Sequence, residues 1–462
     1  MSNSGTLSID VLLQQAIASH KAGQRAAAAK AYQAVIGVEP GHVEANHNLG
    51  VLMIQAGRIE EGLAHLARAL KENDRQALHY LSYARGLLAA GKPKEAEAVL
   101  DQGRRCGLAD GRFDALQQQI EVQAGSPDDP IFLDNRGSAL LAEGKVADAI
   151  QSYRKALAIA PDFADAHYHL GWILSENGHV AEGFAHYMRR AALMYGTGKA
   201  PPTDQPDPPY KVKHDSEQRD YLAGGKASPD APQVRDMFQL ADGSRVDGPA
   251  VNPANATPEL LDQWQSAWPQ MVVMEDFLTQ AALTKLRAYC AGSTIWRKLY
   301  SAGYLGAAPE DGFACPLLAQ IVEEIQSTFR PILRDEPFQY LGAFKYDSAL
   351  CAGTNTHADN SAINVNFYIA PDDANLDPEH GGMEIWDLAA PDVEAQRKYS
   401  SSESAVRDLL RSAGAKSTII PHRSNRAVIF KSALFHKTDT FTFKTDYLSR
   451  RINISLLFGR LG

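Results

Sequence analysis

Two hydrophobic patterns divide this chain. Up to about residue 195, small and large apolar residues recur with helical spacing and glycines return at a fixed interval. Gly23, Gly57 and Gly91 stand 34 residues apart, as do Gly137 and Gly171, and Gly144 and Gly178. Beyond Pro337 the pattern alternates instead. Tyr340 to Tyr346 reads with period two. In Ile363 to Ile369, the apolar Ile363, Val365, Phe367 and Ile369 alternate with the polar Asn364, Asn366 and Tyr368. In Arg451 to Phe458, Ile452, Ile454, Leu456 and Phe458 share one face, and Arg451, Asn453 and Ser455 share the other. The first pattern predicts paired helices and the second predicts short strands. Between them lie a short strand at Met271, a helix capped by Thr279 and running through Cys290, and a helix from Pro316 to about Ile332.

The helical interval carries local text with it. Asn48-Leu49-Gly50 through Arg58 matches Asn135-Arg136-Gly137 through Lys145, and again His169-Leu170-Gly171 through His179. Five helix-turn-helix units start near residues 7, 41, 75, 129 and 162, and an extra helix at about 109–124 interrupts them. This arrangement resembles the tetratricopeptide repeat family over residues 7–195. The resemblance implies an all-α solenoid in which Ala139, Ala149 and Ala156 let helices approach closely. Its concave surface would bind a protein or peptide, and the alternative is a scaffold or an arm that forms a homodimer. His167, Tyr168 and His169 are read as repeat packing. Gly196-Thr197-Gly198-Lys199 lacks the first glycine of a phosphate loop and the hydroxyl after the lysine, and it follows a helix, so it is read as a helix terminus.

Periodicity disappears over residues 196–258, where prolines and glycines gather among charges; this is read as an irregular linker. The C-terminal domain is then 259–462. Composition narrows the options only modestly. A net charge of -9 argues against a nucleic-acid binder. No apolar run approaches the ~20 residues that span a bilayer, and the N-terminus lacks a secretory pattern, so a cytoplasmic protein is expected. The four cysteines, Cys106, Cys290, Cys315 and Cys351, form no metal-binding pair and are read as buried and inert.

Candidate chemistry sits in the alternating region. His357-Ala358-Asp359 and His436 supply two imidazoles and a carboxylate, enough to occupy one face of an octahedral metal ion and leave the opposite face open. His436 is read as ending the apolar strand Ala427-Val428-Ile429-Phe430. Two strands with a polar inner face suit a barrel that encloses a polar ligand. A buried Arg451 needs an anion. In this register Arg450 points the other way, although a β-bulge would exchange the two.

Together these residues resemble the Fe(II)/2-oxoglutarate-dependent dioxygenases, in particular the prolyl-hydroxylase-like branch, over about 271–460. The resemblance implies a double-stranded β-helix (jelly-roll) core with flanking helices. It implies iron on His357, Asp359 and His436, and 2-oxoglutarate on Arg451 and Ser455 with Tyr368 donating a hydrogen bond. Tyr346 matches the aromatic before the metal motif, and Asn366 shares the face of Tyr368. Gly381-Gly382 matches a double glycine before a strand. The cosubstrates would be 2-oxoglutarate and O2, with ascorbate as an accessory reductant, and the products succinate and CO2. One departure is the long segment between Asp387 and Thr418, with a helix over Glu403 to Ser412. The expected function is hydroxylation of a residue in a protein or peptide recruited by the repeats. The alternatives are a small-molecule oxygenase with a dimerising repeat arm and a non-catalytic adaptor or sensor.

Overall fold

The computed structural model describes residues 8–108, 110–124, 128–198, 206–351, 353–390 and 402–460. The chain divides into two compact units, Met1–Ala139 and Leu140–Gly462.

The first unit is helical. Its paired helices are α1 (Ile9–Lys21) with α2 (Arg25–Val38), α3 (Val43–Gln55) with α4 (Ile59–Glu72), and α5 (Ala77–Ala89) with α6 (Pro93–Arg105). These are the units expected near residues 7, 41 and 75. The interrupting helix is α7 (Gly111–Ala124). α8 (Pro130–Ala142) straddles the division between the units. Glycine at the helix crossings is a packing requirement. A Cβ on Gly50 would stand 2.7 Å from Leu66 Cγ and 2.9 Å from the Gly62 carbonyl oxygen. Cys106 and Cys351 differ from their expected burial: Cys106 caps the end of α6 and is exposed, and Cys351 is half-buried.

The second unit begins with α9 (Val146–Ile159), α10 (Ala164–Glu176) and α11 (Val180–Tyr195). His167 is buried and bonds the Pro161 carbonyl, in line with a packing role. The 196–258 stretch is less irregular than its sequence suggests, because α12 (Pro209–Leu222) lies within it. Its buried residues are Lys211, His214 and Gln218. A helix that buries polar side chains shows no apolar period, and so it escapes a search for one. α13 (Pro258–Ser266) follows.

The rest is sheet-rich and antiparallel. The strands are β1 (Met271–Met274), β2 (Lys298–Leu299), β3 (Leu305–Ala307), β4 (Phe338–Tyr346), β5 (Ile363–Tyr368), β6 (Met383–Ala389), β7 (Ser417–Ile420), β8 (Ala427–Lys431), β9 (Leu434–Thr438) and β10 (Arg451–Phe458). Seven form one sheet in the order β1-β8-β5-β10-β4-β3-β2, and three form another in the order β7-β6-β9. Interspersed are α14 (Gln280–Gly292), capped by Thr279 as expected, α15 (Pro316–Thr328), the single turn α16 (Arg330–Leu333) and α17 (Glu403–Ala413). Residues 391–401 of the long segment before α17 lie outside the described residues.

The alternation read from sequence sets the layers. Ile363, Val365 and Phe367 on β5, with Ile454, Leu456 and Phe458 on β10, join the helices in one apolar core. Val180, Phe184 and Tyr187 of α11 belong to that same core, so the last repeat is built into this unit. Val428 and Phe430 of the large sheet pack against Met383, Ile385, Ile420 and Leu434 of the small one. This apolar contact joins the two sheets, while the polar faces of β5 and β10 remain free to line a cavity.

Two expectations need correction. The strand from Ala427 does not run on to His436. It ends at Lys431, the chain crosses between sheets where Ser361 Oγ donates to Ser432 Oγ at 2.7 Å, and His436 lies on β9 of the small sheet. His357 and Asp359 are not on a regular strand either; they sit in a loop tied to β9 by an isolated bridge between His357 and His436. Among the described residues no helix is long and apolar enough to cross a membrane.

Candidate metal centre

Backbone bonds bring the three proposed ligands together. The His357 amide donates to the His436 carbonyl at 2.9 Å, and the His436 amide donates back at 2.8 Å. The Asp359 amide bonds the Ser432 carbonyl at 3.0 Å. One ligand atom from each of His357, Asp359 and His436 lies within 4.8 Å of the others, a group that could hold a metal ion. Asp359 Oδ2 is 3.4 Å from His436 Nε2, and Asp359 Oδ1 is 3.8 Å from His357 Nε2.

Each ring is aimed by its own backbone. His357 Nδ1 bonds the Asn355 carbonyl and His436 Nδ1 bonds the Leu434 carbonyl, both at 2.8 Å. A carbonyl only accepts, so each Nδ1 carries a proton, and Nε2 is the ring atom turned toward Asp359 and available to a metal. Burial pushes the Asp359 carboxyl up, but hydrogen bonding to His436, the two histidine charges and the Asn364 amide outweigh it and hold the group at about 2. Burial, then the nearby His436 charge, pushes His357 below its ordinary value despite Asp359. The site therefore holds an ionised carboxylate and a neutral imidazole at neutral pH, the protonation states that ligate metals.

Asn364 is a site residue that the sequence reading placed on the polar face but gave no role. Its amide donates to Asp359 Oδ2 at 2.8 Å, and its carbonyl oxygen accepts from Ser455 Oγ at 3.2 Å. Ser455 thus acts on Asp359 through Asn364. Such outer contacts fix a ligand's orientation.

The triad opens onto a cavity of about 490 Å³. Tyr346, Asn366, Arg451, Asn453 and Ser455 share its lining with the three ligands. Tyr368 does not line it and is buried behind Arg451. Two further tyrosines, missed by sequence reasoning, form one wall. Tyr304 stacks on Tyr346 with centroids 4.9 Å apart, and Tyr300 stacks on Tyr304 at 4.5 Å. They come from the loop between β2 and β3, far from any alternating segment.

Arg451 is held without a counter-charge. Its Nε donates to the Gly381 carbonyl at 2.7 Å, one terminal nitrogen to the Gly382 carbonyl at 2.9 Å, and the other to Asn453 Oδ1 at 2.8 Å. The ring of Tyr346 lies 4.7 Å from the guanidinium and that of Tyr368 5.5 Å. No carboxylate of the described residues pairs with it, although it is only 1% exposed. The double glycine explains how both carbonyls reach it. Gly381 has φ +89°, and a Cβ on Gly382 would stand 1.9 Å from the Ile420 carbonyl oxygen. Three of the five guanidinium N–H groups are used in these bonds, and the Tyr346 hydroxyl also bonds Arg451. Beside them, the buried Tyr368 hydroxyl has no hydrogen-bond partner. Burial, only partly offset by the Arg451 charge, pushes that hydroxyl up to about 12, so it is a donor. Arg450, by contrast, pairs with Glu217 of α12 and with Asp347 at 3.1 Å.

Comparison with known proteins bears on the helical region. A family model described as TPR repeat matches residues 137–178, and one described as tetratricopeptide repeat matches residues 19–85. No curated protein matches the chain. Among solved structures, the crystal structure of YrrB, a TPR protein with an unusual peptide-binding site, is 18% identical over 36% of this chain and 93% of its own, with a TM-score of 0.23. The crystal structure of MamA protein is 16% identical over 43% of this chain and 98% of its own, with a TM-score of 0.23. The TPR2B domain of yeast Sti1 in its pHsp70 complex is 17% identical over 25% of this chain and 97% of its own, with a TM-score of 0.24. The N-terminal region of the chain carries tetratricopeptide repeats.

Proposed function

We propose that residues 140–462 contain an Fe(II)- and 2-oxoglutarate-dependent oxygenase built on a double-stranded β-helix, and that it hydroxylates a residue of a protein or peptide presented by the repeats. One observation carries the reading: the two-histidine, one-carboxylate triad and an arginine without a counter-charge line the same cavity. Such a triad leaves coordination positions open, as oxygen activation requires and as a closed four-ligand structural site does not allow.

The residues fit both groups. His357 Nε2, His436 Nε2 and an Asp359 oxygen would hold the metal. The remaining N–H groups of Arg451 would take the distal carboxylate of 2-oxoglutarate and neutralise a buried cation, while Tyr368, outside the cavity lining, backs the guanidinium with its ring. When bound, iron and 2-oxoglutarate supply the oxidising chemistry, with loss of CO2 and formation of succinate. The chain's own residues do the rest. Asn364, itself bonded by Ser455, keeps Asp359 turned toward the imidazoles. The Asn355 and Leu434 carbonyls hold the Nδ1 protons and so aim both Nε2 atoms toward the metal position. Tyr304 and Tyr346 give the cavity an aromatic wall that excludes water from one side. Repeat solenoids commonly present concave binding surfaces, which favours a macromolecular substrate over a small one.

Incubating the purified chain with Fe(II), 2-oxoglutarate and O2 should yield succinate, and Asp359→Ala should reduce it to background. Full turnover in that variant would remove the metal assignment. Mass spectrometry of lysate proteins treated with the wild-type and Asp359→Ala chains tests the substrate class. One added oxygen on a protein, dependent on the wild-type site, is the expected product.

A further inference from the structure

Strand alternation means that the neighbours of cavity-facing Tyr346 and Arg451 point to the other side of the sheet. Lys345 stands opposite Ile452 in the β4–β10 register, one position away from the pair Tyr346 and Arg451. On that side, Lys345, Arg450 and Ile452 line a second cavity, of about 250 Å³, with residues of α12 and α14 and of the loop before β10.

Its chemistry is lopsided. Lys345, Arg450 and Arg287 line it, and among the described residues no acidic one does. Arg450 is matched by Glu217 and Asp347, yet its Nε is buried without a hydrogen-bond partner. Arg287 is hydrogen-bonded by the Ile369 carbonyl and by Ser424 Oγ, with the charges of Asp372 and Asp373 near it. Lys345 is 3% exposed, and no carboxylate of the described residues pairs with it. Its ammonium lies 3.4 Å from His214 Nε2 and 3.7 Å from the centre of the Tyr447 ring. His214 Nδ1 is 3.0 Å from Asp215 Oδ1, which fixes the proton on Nδ1 and leaves Nε2 to accept from Lys345. The ammonium is thus bonded by a neutral imidazole and flanked by the rings of Tyr447 and, at 5.2 Å, Trp296, with no charged partner among the described residues. The remaining walls are apolar or aromatic: Ile369, Pro371, Leu448, Ile452 and the rings of Tyr221 and Tyr447.

We propose that this cavity is a second ligand site, separate from the metal side, for a small monocarboxylate with an apolar or aromatic body. The carboxylate pairs with Lys345 and the free donors of Arg450, and the body lies against the tyrosine rings and the aliphatic wall. A buried ammonium without a counter-ion is costly, and a carboxylate removes that cost where an uncharged ligand does not. Burial, with the Arg450 charge beside it, holds Lys345 well below the ordinary lysine value, as expected of a cation lacking its anion. The inference does not depend on the metal reading, since none of these residues touches the triad.

The test is calorimetric titration of the full-length chain with benzoate, with benzamide as the uncharged isostere. Benzoate should bind saturably and at least about ten-fold more tightly than benzamide, the factor that corresponds to ~1.4 kcal/mol. Lys345→Met should remove that preference. Leu448→Glu, a change at an exposed residue on the rim, should weaken benzoate alone and covers the case in which Lys345→Met fails to fold. Arg451→Ala should leave benzoate affinity unchanged, which separates this site from the proposed 2-oxoglutarate site. Equal binding of benzoate and benzamide, loss of benzoate binding in Arg451→Ala, or unchanged benzoate binding in folded Leu448→Glu overturns the proposal. So does an absence of saturable binding.

Discussion

The two sides of the β4–β10 ladder bury arginines in opposite ways. On the helix side, Arg450 meets Glu217 and Asp347, charge against charge. On the cavity side, its sequence neighbour Arg451 meets, among the described residues, carbonyls, an asparagine and aromatic faces. Both are almost fully buried. A cation matched by carboxylates inside the protein is neutralised, and its loss is felt first in stability. A cation held by dipoles is positioned but unneutralised, and that is the state of a group prepared for an external anion. Sequence adjacency hides this difference, and strand alternation produces it.

The contrast can be broken most forcefully at the two arginines. Arg450→Ala removes the buried partner of Asp347 and leaves that carboxylate to Lys213, 2.6 Å away, so it should cost about 1.5–3 kcal/mol of stability in chemical denaturation, with 2-oxoglutarate affinity of the folded protein unchanged. Arg451→Ala should do the reverse: loss of charged hydrogen bonds of ~1.5–3 kcal/mol weakens 2-oxoglutarate binding by roughly 10–100-fold, measured by calorimetry, with a smaller effect on stability. If both variants lose affinity equally, the two faces are not functionally distinct.

A subtler probe is Asn364→Ala. It leaves every ligand in place but frees Asp359 to rotate, and it should lower metal affinity about 10–100-fold in a competition titration. An effect confined to acid pH concerns His422, buried beside Tyr368 with its ring 5.3 Å from that of the tyrosine. Burial, then the Arg451 charge, pushes it down to about 3. Its folded value lies below its unfolded one, so its contribution is complete above about pH 6.5 and is lost progressively as pH falls toward 3. His422→Leu should flatten that part of the stability profile measured by denaturation at several pH values.

How much of this was legible in the sequence depends on which force shaped each segment. The repeats were legible because each crossing of paired helices demands a small residue at the same place, so packing writes a period into the text. The polar wall of β5 and β10 was legible because alternation is rigid: Asn364 and Asn366, like Arg451, Asn453 and Ser455, face the cavity as their spacing requires. α12 was not legible, because it buries Lys211, His214 and Gln218 rather than an apolar stripe. The crossing at Ser432 was hidden because Ala427 to Phe430 and Leu434 to Phe435 read as one apolar run, although they belong to different sheets. Tyr300 and Tyr304 reach the cavity by tertiary placement of a loop, which no local pattern records. Tyr368 was placed on the right strand, but its position behind Arg451 rather than on the cavity surface needed coordinates.

The central claim is that the triad and Arg451 form one site. Anaerobic calorimetry of 2-oxoglutarate binding, with and without Fe(II), tests it most directly. The account predicts tight binding only with the metal present, lost when either Asp359 or Arg451 is replaced by alanine and retained in folded Arg450→Ala. Binding that is indifferent to Fe(II) and to Asp359 would contradict it.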